Sequence, residues 1–283
     1  MKHLFQAYTF PSGAKKIAMA GLVFVFCGVV AQGQKIRNLT LGPCNYHGIS
    51  YCGVLLELEE NHVLDYLERV GGEHGGAIPA VLIAVGFSPQ EVTDILMFTD
   101  FSEFIPLPVE ENQGNGVLRN REAFRFWLQS HIARKTGSAT TTFAELHKNR
   151  NRWKGFDLFI SSEIMGGIVS YESRPDMPLI DAVMSSYSTM HDFHSKEPQS
   201  DRFAAVSLFD GPEYYNELTV MAFDKDFKNP QTVGLRIVCD DNGPAHRDRT
   251  CFDREIEVMC PAAGGEMHSL SVDEKSRLLL KGR

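Results

Sequence analysis

The sequence contains no run of lysines and arginines interleaved with aromatic residues, no CxxC pair, no internal repeat and no low-complexity tract. The first absence excludes nucleic acid as a partner, because a basic stripe is needed to displace phosphate counterions. The charge balance agrees, with 28 basic and 36 acidic residues and a formal net charge of −8. Cysteine is scarce and awkwardly numbered: Cys27, Cys44, Cys52, Cys239, Cys251 and Cys260. Cys27 lies in an apolar run, which leaves an odd number, so a disulfide-dense secreted scaffold is excluded. Cys251 and Cys260 can pair if the protein is exported, and buried thiols fit the sequence equally well.

What is present is ordinary globular material. The 283 residues are 43% hydrophobic and 23% charged, enough for one large domain with a sizeable core. At the N-terminus, Lys15 and Lys16 precede an apolar run from Ile17 to Ala31, and Val29-Val30-Ala31 resembles a small-residue cleavage site. A charged stretch before such a run suits a secretory signal or an anchor, and the run is shorter than the ~20 residues a spanning helix prefers. The expectation is an exported or membrane-associated protein. Its organisation is then an N-terminal segment over 1–35, a folded domain over 36–260 and a C-terminal tail over 261–283.

Hydrophobic periodicity places the elements. Strands are predicted at Ile36–Leu41, ending at Val70, at Phe156–Ile160, Gly167–Tyr171, Ala204–Phe209 and Val233–Val238. Helices are predicted from Gly48 to about Glu60, at Ala77–Val85, Glu91–Phe98, Arg121–Ile132 and Met177–Ser188. Pro79 falls in the first turn of its helix, where a missing N–H costs little. Loops are expected at Glu111–Gly116 and Asp240–Arg249. Strands alternating with helices imply a largely parallel sheet covered on both faces, a three-layer α/β/α fold.

Two strand–glycine turn–helix units occupy the first third. Such turns expose backbone N–H groups at the positive end of a helix. In a nucleophile elbow, G-x-S-x-G, a serine stands at the apex and neighbouring amides hold the oxyanion. Gly72-Glu73-His74-Gly75-Gly76 has that glycine frame with His74 at the apex.

Here a family resemblance becomes specific. Val70–Ile78, VGGEHGGAI, resembles the patatin elbow segment V-A-G-T-S-A-G-A-I in frame. Asn38–Leu55 is similar to the family's strand, G-G-G-x-x-G oxyanion loop and helix, with Gly48, Ile49, Tyr51, Gly53 and Leu55 on matching positions. Lys135–His147 resembles the K-T-G…T-F-A-E-L stretch. Pro175–Leu179 and Asp181-Ala182-Val183 resemble the approach to the A-S-x-S-I-P helix, and Phe209-Asp210-Gly211 the D-G-G or D-G-A motif. Asn229–Val238 resembles a C-terminal strand of the family. The likeness runs in order over roughly residues 36–238.

The resemblance implies a patatin-like phospholipase (lipid acyl hydrolase) fold and a serine–aspartate dyad that needs no cofactor and no metal. Asp210 is the retained aspartate. The serine is replaced by His74, so no hydroxyl stands there to be activated. Pro43, Cys44 and Asn45 replace the three oxyanion glycines, and Pro43 has no N–H to donate. One lost donor typically costs roughly 100- to 1000-fold in rate. Pro212 replaces the second glycine after the aspartate, and Thr189-Met190 replaces I-P. The reading is a degenerate member, a pseudoenzyme that binds a lipid, a membrane surface or a protein partner. The alternative is an active lipid acyl hydrolase or esterase using altered His74/Asp210 chemistry, with a hydrogen bond between the two that raises the imidazole pKa.

Other motifs have blander readings. Glu73 is expected to be exposed. The glycine run lacks the G-x-G-x-x-G spacing and lysine of a phosphate cradle. His191 with His194, and Asp240, Asp241 with His246, match no metal motif and read as solvated loops. The Phe98–Phe104 stretch can touch lipid at a cleft mouth, although packing beneath a loop is the commoner use.

Overall fold

The structure, a computed structural model, describes residues 35–42, 49–101, 104, 116–162, 165–187, 231–239, 254–260 and 272–282. In chain order these form β1 (Asn38–Leu41), α1 (Ile49–Glu60), β2 (Arg69–Glu73), α2 (Ala77–Ala84), α3 (Pro89–Phe98), α4 (Gly116–Thr136) and α5 (Phe143–Trp153). There follow β3 (Asp157–Ser162), β4 (Gly167–Val169), α6 (Leu179–Tyr187), β5 (Thr232–Cys239), β6 (Arg254–Cys260) and α7 (Val272–Gly282).

The strands make one sheet in the order β4-β3-β2-β1-β5-β6. All neighbours are parallel except β3 and β4. That exception follows from the link: four residues join Ser162 to Gly167, too few for a crossover. Gly166 and Gly167 adopt φ of 79° and 136°, the region glycine enters most easily. Helices cover both faces, as the alternating pattern predicted.

Register explains the core. Leu39 is paired with Val70 and Val233, and Leu41 with Gly72 and Leu235, which places one apolar set on a single face. All eight residues of α2, AIPAVLIA, are buried, and α2 packs on β1, β2 and β3. Burial contributes about 1.5–3 kcal/mol for each large aliphatic side chain among them. The opposite face carries buried polar groups. There the Asn38 amide donates to Thr232 Oγ1 at 3.1 Å and accepts from Arg69 Nη1 at 3.2 Å.

The helix starts obey local rules. Ser88 accepts from the Glu91 N–H while the Glu91 carboxylate accepts from the Ser88 N–H, a capping box with Pro89 in the first turn. Thr142 and Glu145 repeat it for α5. The helix therefore starts two residues before the predicted Glu91, because the cap precedes the periodic residues. The strand predicted to end at Val70 continues to Glu73. Gly71 and Gly72 are paired on both sides, to Thr40 and Leu41 and to Phe159 and Ile160.

Phe101 and Phe104 pack against Trp127, each at 5.5 Å between ring centroids, and Phe104 against Phe124 at 5.7 Å. The packing reading of that stretch fits these two, while Phe98 is 77% exposed. Helix α7 lies against α1 and α3. Its buried Lys275 ammonium donates to the carbonyls of Leu96, Met97 and Thr99, at the α3 C-terminus where a cation is favoured. Burial holds the Lys275 pKa below its usual range, with Asp100 pulling the other way.

The expectation of an exported or membrane-associated chain is corrected. Among the described residues no helix is long and apolar enough to cross a membrane. The 21-residue α4 has the length, but it carries Arg121, Glu122, Arg125, Arg134 and Lys135. The 17–31 run on which the expectation rested lies outside the described residues.

A pH dependence follows from His131. Its ring meets Trp127 edge-on at 5.0 Å and Phe87 at 6.2 Å. Burial, then the nearby Arg134 charge, hold its pKa below the ordinary 6.5. A base whose folded pKa is depressed binds fewer protons folded than unfolded, so it costs stability as pH falls from above 6.5 through the folded value. Thermal unfolding of wild type and His131→Phe at pH 8 and pH 5 should show a larger drop in Tm for the wild type. Equal drops would exclude His131 as a contributor.

Candidate functional site

The candidate site is built at the corner where β2 becomes α2. The strand leaves at Glu73, one 3-10 turn spans His74–Gly76, and α2 begins at Ala77. This is the strand-to-helix turn expected at 72–76. Gly72 makes it compact, since a Cβ there would lie 2.6 Å from Ala77 Cα and 2.7 Å from Ala80 Cβ. The helix can fold back onto its own strand only with hydrogen at that position. Gly76 makes a second close approach: its Cβ would lie 2.4 Å from the carbonyl oxygens of Leu41 and Gly42. The turn is thus wedged against the carboxyl end of β1. Crevices at the carboxyl ends of parallel strands are where open α/β sheets bind ligands.

His74 stands at the apex with φ of 48°. A left-handed conformation costs a residue with a Cβ about 1–2 kcal/mol, although histidine tolerates it better than most. Its N–H donates to Ser186 Oγ on α6 at 2.9 Å. The Ser186 side chain is buried. His74 Nδ1 lies 3.7 Å from Glu73 Oε1, an ion-pair distance when the ring is protonated, with the His74 side chain 25% exposed. Glu73 is 6% exposed, which corrects the expectation of an exposed acid. It belongs to the buried end of a central strand, in register with Ser161 of β3.

The carboxyl end of β1 is also fixed. Gly42 N–H donates to the Leu235 carbonyl at 3.0 Å. The buried Tyr51 hydroxyl lies 3.1 Å from the Gly42 carbonyl and 3.2 Å from that of Leu235. Tyr51 therefore ties together the ends of β1 and β5. The strand order turns around between these two, since β2 follows β1 on one side and β5 lies on the other.

Of the residues singled out from the sequence, the structure brings together Gly72, His74, Gly75 and Gly76. Asp210 and the oxyanion-loop positions Pro43, Cys44, Asn45 and Gly48 lie outside the described residues. Ser186 was not singled out. Its signal was a pair of serines, Ser185-Ser186, closing a helix whose Leu179, Ile180, Ala182 and Val183 are buried. A buried hydroxyl in such a helix needs a partner. Among the described residues, no group of three His, Cys, Asp or Glu side chains is arranged to hold a metal ion.

Comparison with known proteins bears on the fold. No protein-family profile matches the chain. An uncharacterized protein of Acanthamoeba polyphaga mimivirus is 26% identical over 123 residues, covering 41% of this chain and 40% of its own length. The type III effector protein ExoU overlays with a TM-score of 0.51 and 14% identity, covering 88% of this chain. This chain spans about half of ExoU, 52% of its length. VipD from Legionella pneumophila gives 0.49 at 12% identity over 88% of this chain and 65% of that one, a value too low to argue from. At this identity the overlap with ExoU speaks for architecture alone, and that architecture is a patatin-like α/β fold.

Proposed function

We propose that the chain is a catalytically impaired patatin-like protein that binds a lipid at the β2–α2 corner instead of hydrolysing it. The observation that carries this reading is His74 held at φ of 48° on the apex of an elbow-like turn. Strain of this kind persists where the surroundings enforce it, and it clusters at functional sites. The turn keeps the glycine-dependent close approach of an elbow yet presents an imidazole where acyl transfer by the family mechanism needs a hydroxyl. Pro43 cannot donate to an oxyanion, and Cys44 and Asn45 restrict the glycine-like geometry of that loop. In the frame that the family resemblance supplies, Asp210 would face the apex, where a carboxylate would favour the charged imidazole, a partner for an anionic headgroup or a fatty-acid carboxylate. A protein partner docking on the same corner is the competing occupant.

Hydrolysis of p-nitrophenyl acyl esters and of phospholipid vesicles tests the absence of chemistry, and a fluorescent fatty acid titrated into the purified chain tests binding. The expected result is saturable binding with no turnover above the blank. His74→Ser alone should recover no substantial activity, because the oxyanion donor is still missing. Turnover that His74→Ala or Asp210→Ala abolishes, and the exposed control Glu59→Gln leaves intact, would instead establish an active hydrolase. The backbone supplies a further outcome. His74→Gly should stabilise the fold by about 1 kcal/mol in urea titration through relief of the left-handed penalty, while weakening fatty-acid binding. A loss of stability would show that the imidazole serves the fold.

A further inference from the structure

We infer that the end of the sheet opposite the corner is a docking surface for an acidic polypeptide segment. The first residues of β1, β2 and β3 mark that end, since Asn38, Arg69 and Asp157 are register partners across the three strands. Helix α2 runs back to it: the Ala84 carbonyl accepts from the Phe156 N–H just before β3 starts. The C-terminus of α5 is wedged against the same turn, where a Cβ on Gly86 would lie 1.8 Å from the Trp153 carbonyl oxygen. Helix α4 also ends there, with the Arg134 guanidinium 4.7 Å and the Lys135 ammonium 4.5 Å from the centre of the Phe87 ring. Lys35, just before β1, lies over the Tyr66 ring at 4.1 Å.

Charge at this end is unbalanced. Its carboxylates are already held: Glu68 by Arg37 and Arg69, Asp157 by His147 and Arg150, and Glu91 by Lys135. Lys35, Arg134, Lys148, Arg152 and Lys154 are all exposed. Among the described residues, none of these five has a carboxylate at ion-pair distance. The surplus stands out in a protein whose formal net charge is −8. A helix C-terminus favours cations, which accounts for Arg134 and Arg152. It does not account for Lys35, which belongs to no helix, or for Lys148, which precedes the last turn of α5.

Positive charge concentrated at one end draws an anionic partner and steers its approach. An acidic polypeptide fits this surface better than a nucleic acid does. Phosphates continue along a duplex every ~1.7 Å of its axis, past the cations and over the acidic remainder of this protein, which repels them. A segment of aspartates and glutamates can stop where the cations stop. It also tolerates Glu68 and Asp157, because each is already paired with arginine. Single exposed ion pairs are weak, so affinity depends on how many of the five cations are engaged.

The test titrates the full chain into fluorescein-labelled oligoglutamate and follows fluorescence anisotropy. Oligothymidylate of equal charge and phosphatidylserine vesicles serve as rival probes. Saturable oligoglutamate binding is expected at about 0.05 M salt, weakening severalfold at about 0.2 M as screening grows. Lys148→Gln combined with Arg152→Gln should weaken it about tenfold, and Lys35→Gln, on a different element, about threefold. Arg277→Gln, which removes an exposed cation on α7, should leave the affinity within about twofold of wild type. All these side chains are exposed, so thermal melts of the variants should match the wild type. Absence of saturable binding, no loss in the Lys148/Arg152 and Lys35 variants, or equal loss in Arg277→Gln overturns the proposal. Tighter capture of oligothymidylate or of the vesicles overturns it as well.

Discussion

At the corner between β2 and α2, three chain segments come within van der Waals contact of one another, and two glycines leave room for this. Gly72 lets the helix settle on the strand that feeds it, and Gly76 lets the turn meet the carbonyls that end β1. Each position is closed to a methyl group by backbone atoms that cannot swing away. The consequence reaches outward: α2 is held over β1, β2 and β3, and the carboxyl end of β1 is held against the turn. Tyr51 then adds β5 to the same junction through the Gly42 and Leu235 carbonyls. Placement of the apex is therefore a property of the packed sheet, and His74 inherits its strained backbone from that packing.

Much of this architecture was legible in the sequence for reasons that can be named. Glycines at 72, 75 and 76 between an apolar strand and an apolar helix signal a tight corner, and the structure has one. The parallel sheet followed from alternation of strand and helix patterns. Legibility failed where local and tertiary demands diverge. β2 runs on through Gly71 and Gly72 because flanking strands supply ladder partners, which strand propensity does not register. Helix α5 begins at a capping box, Thr142 with Glu145, that lies inside the family-like stretch 135–147. Helix α7 falls in the stretch expected to be a tail; its amphipathic pattern is short and its lysine is buried against the end of another helix. No side-chain scale anticipates a buried ammonium, because its partners are carbonyls supplied by α3.

The site itself divides in the same way. Its glycine frame is readable from residue types, since only a missing Cβ permits the close approach. The partnership of the His74 amide with Ser186 is not readable, because it joins residues 112 positions apart across two elements. The same is true of Glu73: next to a histidine it looks like a surface acid, yet the strand carries it into the interior. The turn is supported from beneath by α6 and flanked by a buried carboxylate, so its electrostatics are set largely by groups that a motif comparison passes over.

The central position of β1 has a consequence for how the chain is made. β1 hydrogen-bonds to β2, which follows within about thirty residues, and to β5, whose Thr232 meets Asn38 across a separation of 194 residues. During synthesis, one side of β1 must wait for most of the polypeptide to leave the ribosome. Until then a row of unpaired amides beside Leu39 and Leu41 stands open, an edge of the sort that recruits other strands. High contact order of this type slows folding, so the interval favours attendance by a chaperone, and expression at reduced temperature should lower the share lost to aggregation.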